Sequence, residues 1–416
     1  MHSPLAATGT ADLLKILSPL IPDEFINRNF LRKRTPGRPL SFSPAQLWRA
    51  HLLSLLTPVH SFNLLVKVLP EQTSWRRFAH LSHRDRTPDV RMLNEFRTRF
   101  GVLGFRAVNE HLVQGILSVR KSLLKSVALI DATDLPAAAA DQKKEKKRVW
   151  SAHKANLGAR SLKPGTTRFF VGYKKHSLRL WLPEYSDAVL LIPLVSWAAP
   201  ASVPEGFLLV PSIYRCRQKF GWVPEIVVGD LGYIEQNKKR HLREKFGVAV
   251  VTKMKSDMTI KAPFESWNKV VCDQGQSLAW LGFDQRHYEH WFGVEQTDSL
   301  CGTCWKSSSC PREFNFPPEH HETLLGLLPL NSKVAQRLLK QCRSWIEATQ
   351  SYDKNQLGLS QFFLNSLRLT WICSLLADSV CLLRALVLLE KKENSNLLKE
   401  LFPSQSTFGF DSEIDS

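Results

Sequence analysis

The sequence predicts an α/β protein: a mixed sheet framed by helical segments at both ends and interrupted by a mainly β insert. Three observations carry that reading. Short apolar runs of strand length sit between residues 126 and 252, first in series and then alternating with helix-compatible segments. Before and after them, apolar residues recur at helical spacing. Between residues 255 and 330, scattered tryptophans and cysteines lie among short β-favouring pieces.

Residues 1–120 read as a helical domain. Ser43-Pro44 is an N-cap followed by proline at the first helical position, ahead of an apolar-periodic run from Leu47 to Leu56. Thr87-Pro88-Asp89 repeats the signal, and Val90–Phe100 meets a stop at Gly101. Arg76, Arg77, Arg84, Arg86, Arg91, Arg97 and Arg99 crowd this region, as expected of a DNA-contacting face or of a solvated basic one.

Residues 121–254 hold the strands. Ser126–Asp131 is an apolar run that stops at a carboxylate, and the basic stretch Gln142–Lys163 reads as a loop. Arg168–Leu180 and Ala188–Ala198 follow as strands, then a helix over Leu208–Phe220 and a strand over Glu225–Asp230. A polar helix over Ile234–Phe246 leads into the strand Val248–Thr252. The insert spans 255–330. Residues 331–395 return to helix, first over Lys333–Lys354 and then as an apolar helix over Leu359–Lys392. The tail, 396–416, reads as disordered.

Composition narrows the function. The 416 residues are 44% hydrophobic and 23% charged, ordinary for a chain that buries a core. Fifty-six Lys+Arg against 38 Asp+Glu give a net charge of +18, which favours a polyanionic partner. The most apolar stretch, Leu367–Leu389, contains Arg368, Asp378 and Arg384, so it reads as a buried helix and not a membrane span. Eight cysteines without an export signal are expected to be reduced thiols or metal ligands in a cytoplasmic protein.

Two apolar runs end in aspartate, Asp131 and Asp230. A carboxylate at the end of a buried strand must be paired or hold a cation, and two could share Mg²⁺ or Mn²⁺; each could equally cap a turn. Asp134 is the competitor for Asp131, which is preferred because it directly follows the apolar run. In the late helix, Arg343, Glu347 and Lys354 have the spacing R-x3-E-x6-K. At about 100° per residue they fall within roughly 40° of one another, so two cations flank one carboxylate; a plain i,i+4 ion pair is the simpler account. Cys301-Gly-Thr-Cys304, with Cys310 and Cys272, supplies four thiols for a tetrahedral structural zinc site, or four reduced, non-ligating thiols. His287, His290, His320 and His321 are substitutes for Cys272, and Trp280, Trp291 and Trp305 are candidates for stacking on a base.

Taken in order, these pieces resemble the DDE transposases of bacterial insertion sequences, in the group with a Y-x2-R-x3-E-x6-K signature. Arg343, Glu347 and Lys354 match it, and Lys340 replaces the tyrosine. Ile130–Thr133 resembles the first-aspartate motif and Gly229–Tyr233 the second; Gly172–His176 resembles a strand of the family's catalytic sheet. The resemblance covers roughly residues 40–390 and implies a ribonuclease-H-like domain. Asp131, Asp230 and Glu347 would hold two divalent metals, while Arg343, Lys354, Lys340, Lys174, Lys175 and His176 would contact DNA. One metal would activate water or a 3′-OH and the other would stabilise the leaving oxygen. The implied partners are the element's terminal inverted repeats and target DNA, bound by a homodimer at the bacterial nucleoid with no membrane involved. The alternative is a transposase-derived DNA-binding protein that has lost catalysis.

Overall fold

The computed structural model describes residues 10–31, 40–82, 86–119, 126–138, 141–144, 147–163, 166–182, 190–254, 260, 263–266, 269–294, 300–306 and 308–390. The tail at 396–416 and Arg84 lie outside the described residues. The chain divides into two compact units, 1–123, 132–203 and 347–416 in the first, 124–131 and 204–346 in the second.

The first unit opens with helices α1 (Ala11–Leu17), α2 (Asp23–Leu31), α3 (Pro44–Leu56), α4 (Phe62–Val68), α5 (Thr73–Phe78) and α6 (Val90–Val119). The expected cap of α3 is present as a full capping box: Gln46 N–H donates to Ser43 Oγ, and Ser43 N–H to Gln46 Oε1. Met92 N–H donates to Asp89 Oδ1 at 2.7 Å at the start of α6. The expected stop at Gly101 is a break inside α6, where the backbone turns left-handed at φ 62°. The crowded arginines divide. Arg77, Arg86, Arg91 and Arg99 are exposed, whereas Arg76 is buried and donates to the Ser82 carbonyl.

Strand β1 (Val127–Pro136) belongs to both units, changing over after Asp131. It does not stop at the carboxylate, as the sequence suggested, because beyond it the strand still lies beside β5 and alternates half-buried Ala132 and Asp134 with buried Thr133 and Leu135. The basic stretch read as a loop is instead a hairpin of β2 (Asp141–Lys144) and β3 (Lys147–Trp150), followed by β4 (Asn156–Lys163). β4 and β6 (Leu190–Pro200) pair antiparallel with the long β5 (Thr166–Leu182). Gly172 of β5 is required there, since a Cβ would stand 2.3 Å from the Leu135 carbonyl oxygen.

In the second unit, β1 runs parallel to β7 (Ile226–Gly229), and β7 to β8 (Ala249–Thr252). Helices α7 (Leu209–Phe220) and α8 (Gln236–Phe246) connect them, each ending at a left-handed glycine, Gly221 and Gly247. The expected β insert is an antiparallel sheet of β9 (Phe264–Ser266), β10 (Lys269–Val271), β11 (Ser277–Asp284), β12 (Glu289–Val294) and β13 (Glu313–Phe316), with the short α9 (Leu300–Thr303) between the last two.

α10 (Lys333–Ser351) continues into a π-helical turn, Tyr352–Gln356, and Gly358 at φ 65° redirects the chain. The last helix, α11 (Leu367–Glu390), therefore begins later than its apolar composition suggested. It is long and apolar enough to cross a membrane, yet 83% of its apolar stretch is buried. Its charges are answered inside the first unit: Asp378 meets Lys175 at 2.7 Å, and the Arg384 guanidinium lies 4.5 Å from the Tyr352 ring centroid.

Candidate active site

β1 and β7 are neighbouring parallel strands whose pairing runs from Val127↔Ile226 to Ile130↔Gly229. Asp131 and Asp230 are each the next residue, so both carboxylates leave the same end of the ladder. That is the carboxyl end of the strands, where open α/β sheets place their ligands. Asp134, three residues along an extended strand, faces the opposite side from Asp131.

A third carboxylate joins them. Carboxylate oxygens of Asp131, Glu205 and Asp230 all lie within 4.8 Å of one another, the only such grouping of acidic, histidine or cysteine side chains among the described residues. Glu205 opens a 3-10 turn, Glu205–Leu208, behind Pro204; a second turn, Leu231–Tyr233, follows Asp230. Glycines let the two turns meet. At Gly206 a Cβ would come within 3.0 Å of the Gly232 carbonyl, and at Gly232 within 2.4 Å of Glu205 Oε2. Gly232 N–H donates to Asp230 Oδ1 at 2.9 Å, so Asp230 does cap a turn, while still facing the other acids.

Asp131 and Glu205 are half-buried and Asp230 is exposed, leaving the cluster open to solvent. Beneath it Tyr233 is fully buried, its hydroxyl without a hydrogen-bond partner. Burial, then the charges of Glu205, Asp131 and Asp230, push its phenol well above the ordinary value. Three carboxylates this close repel one another unless a cation lies among them, and an all-oxygen donor set fits Mg²⁺ or Mn²⁺.

Glu205 carried no sequence signal: it follows no apolar run and belongs to no spaced motif. Glu347 is exposed on α10, in the first unit, with Lys340 exposed on the same helix. Lys354 lies beyond Ser351 in the π-helical turn, so the α-helical angle count from Arg343 and Glu347 does not extend to it.

The expected DNA contacts on β5 are corrected. Lys175 is 1% exposed and donates to Asp353 and Asp378, both at 2.7 Å; Arg179 meets Asp353 at 2.6 Å. Those carboxylates hold the Lys175 ammonium inside the first unit, where it offers no charge to a phosphate. Lys174 is buried, and His176 is buried with neither ring nitrogen hydrogen-bonded, its pKa lowered to about 3 chiefly by burial.

In the insert, Cys272, Cys301, Cys304 and Cys310 are half-buried and line one open cleft, but their thiols do not gather to metal-ligand distance as the acids do. Of the substitute ligands, His290 is a core residue held between the Trp280 indole N–H at 3.2 Å and the Gly326 carbonyl at 2.8 Å. His287 is exposed and bonded to Asp284 at 2.6 Å. Trp305 is 77% exposed.

Compared with known proteins, residues 6–99 match the family model described as Transposase domain (DUF772), wholly within the first unit. No curated protein matches the chain. The match supports a transposase, and with it DNA binding.

Proposed function

We propose that the chain is a DDE transposase that cleaves the ends of its own insertion sequence and joins them to target DNA by two-metal phosphoryl transfer. The observation that carries this reading is the carboxylate grouping of Asp131 and Asp230, at the carboxyl end of the β1–β7 parallel ladder, with Glu205. Magnesium or manganese held by these oxygens would supply charge neutralisation at a phosphate and activation of a water or 3′-OH. Phosphoryl transfer asks for positioning and electrostatics more than covalent chemistry, which suits carboxylates fixed by backbone turns. Asp131 is aimed by its strand and Asp230 by the Gly232 N–H; Glu205 adds a further oxygen donor.

The signature on α10 adds Glu347 as the third catalytic acid, with Arg343, Lys354 and Lys340 toward DNA phosphates. Its support is the resemblance in sequence. A zinc ion bracing the insert would have to draw Cys272, Cys301, Cys304 and Cys310 together across the cleft they line. The partners are inverted-repeat and target DNA, bound by a homodimer in the bacterial cytoplasm.

The test is strand cleavage of a labelled duplex carrying the repeats that flank the gene, with Mg²⁺ or Mn²⁺. Asp131→Ala and Asp230→Ala are each expected to lower cleavage on the order of 10³-fold or more. Glu347→Ala is expected to do the same, whereas Glu205→Ala raises the metal concentration required. Cleavage that survives Glu347→Ala but not Glu205→Ala would reassign the third acid to Glu205. Repeat binding without metal-dependent cleavage would leave the DNA-binding alternative.

A further inference from the structure

Helix α10 carries its charges against its own stability. Its 19 residues, Lys333–Ser351, contain four cations, Lys333, Arg337, Lys340 and Arg343, and a single acid, Glu347. At about 100° per residue, Lys333, Arg337, Lys340, Ser344 and Glu347 fall within roughly 80° of one another. The opposite face is the buried one, centred on Leu338, Cys342 and Trp345. Lys333, Arg337 and Lys340 therefore form an outward ridge, and all three are exposed. None of the three side chains has a hydrogen bond or ion pair among the described residues. Two effects oppose that placement. Lys333 and Arg337 stand at i,i+4 and Arg337 and Lys340 at i,i+3, where like charges repel. Lys333 also sits in the first turn, where the helix dipole favours acids, and that turn has none. A ridge that served only solubility would alternate its signs and put acids first. From Lys333 to Lys340 the helix rises about 10 Å, the axial advance of about three nucleotides of one DNA strand.

We infer that Lys333, Arg337 and Lys340 form a phosphate track: three side chains on neighbouring phosphates of one strand, leading along α10 toward Glu347. Lys333 and Arg337 belong to no part of the R-x3-E-x6-K spacing, so the track lengthens the DNA surface of this helix beyond that motif. The inference rests on the proposed function for DNA as the polyanion. An anionic membrane is disfavoured, because Gln336, Gln341 and Ser344 lie beside the ridge and the apolar face of α10 is taken up by the core.

The test measures binding of the full-length protein to a labelled repeat duplex and to an unrelated duplex over a range of salt, without divalent metal. Lys333→Gln and Arg337→Gln should each lower the slope of log affinity against log salt by about 0.9, equally on both duplexes. The double variant should lose about 1.8, and Arg337→Lys nothing. Ethylation of single phosphates locates the contacts: wild-type binding should be blocked at three neighbouring phosphates of one strand. Lys333→Gln should become indifferent to one end of that trio and Lys340→Gln to the other. A salt slope unchanged in the double variant overturns the inference. So does indifference of both variants to the same phosphate, or binding lost only to phosphatidylglycerol vesicles. The substituted side chains are exposed and glutamine is a good helix former, so every variant should melt no lower than wild type. Cleavage of repeat duplexes with Mg²⁺ separates the two readings. An ordered track without cleavage sinks the transposase reading alone, whereas cleavage by a double variant of wild-type salt dependence sinks the track alone.

Discussion

Lys239 of α8 is 2% exposed, and its ammonium donates to the buried Thr252 hydroxyl at 2.7 Å. Glu322, the nearby carboxylate, is already taken by Arg243 through hydrogen bonds of 2.9 to 3.1 Å. Burial therefore dominates, and the Lys239 pKa falls from 10.5 to about 7. The unfolded chain keeps this proton up to about pH 10.5, while the folded chain releases it near pH 7. In that window the unfolded state binds more protons, so stability rises with pH. At about 1.4 kcal/mol per pKa unit, the penalty at pH 7 is about 4 kcal/mol. Lys239→Met removes it but orphans the Thr252 hydroxyl, which costs about 1–3 kcal/mol. The variant should thus be about 1–3 kcal/mol more stable than wild type at pH 7. Near pH 10 the advantage should vanish or reverse. Urea unfolding followed by tryptophan fluorescence at both pH values measures the difference directly. A variant destabilised equally at pH 7 and pH 10 would refute the reasoning, because the ammonium would then be stabilised by contacts other than those seen.

Asp353→Ala leaves two buried cations, Lys175 and Arg179, to the Asp378 carboxylate in place of the Asp353–Asp378 pair and should cost about 3–5 kcal/mol in denaturant titrations. Those two cations hold the Asp353 carboxyl below its ordinary value, so its stabilisation should be complete at neutral pH and fade as the pH falls through the acid range. Gly172→Ala, which drives a Cβ against the Leu135 carbonyl, should destabilise by about 1–3 kcal/mol, read as a lower melting temperature. Gly232→Ala puts a Cβ 2.4 Å from Glu205 Oε2 and 3.1 Å from both Asp230 Oδ1 and Glu205 Cβ; cleavage should demand more Mg²⁺ while the melting temperature holds, and an unchanged metal requirement would count against the Glu205–Asp230 pair as donors.

Much of the fold was readable because its elements obey local rules. The strands at β7 and β8 are short β-branched runs, α7 and α8 end at glycines, and α3 begins with a capping box; each shows within a few residues. Asp131 and Asp230 were readable for the same reason, as polar residues where apolar runs end. Lys175 and Arg179 were not. Charged residues alternating on a strand look like a solvated face, and only partners 174 to 203 residues away bury them. Glu205 was invisible because nothing near it in sequence marks it; its place depends on two glycine-lined turns meeting. Likewise the π-helical turn after Ser351 shifts Lys354 off a count that assumed one uniform helix.

The first unit is assembled from three separated stretches, and the last supplies α11, which packs against α6 and β6. On the ribosome, α6 and β6 emerge long before that helix exists. Until Leu367–Glu390 has been synthesised, the faces of α6 and β6 that it covers stay bare, so a nascent chain holds apolar surface open to aggregation through most of its translation. Messages cut short upstream of α11 should yield insoluble fragments, not partial DNA binders competing for the repeats. Quality control is thereby tied to completion of translation.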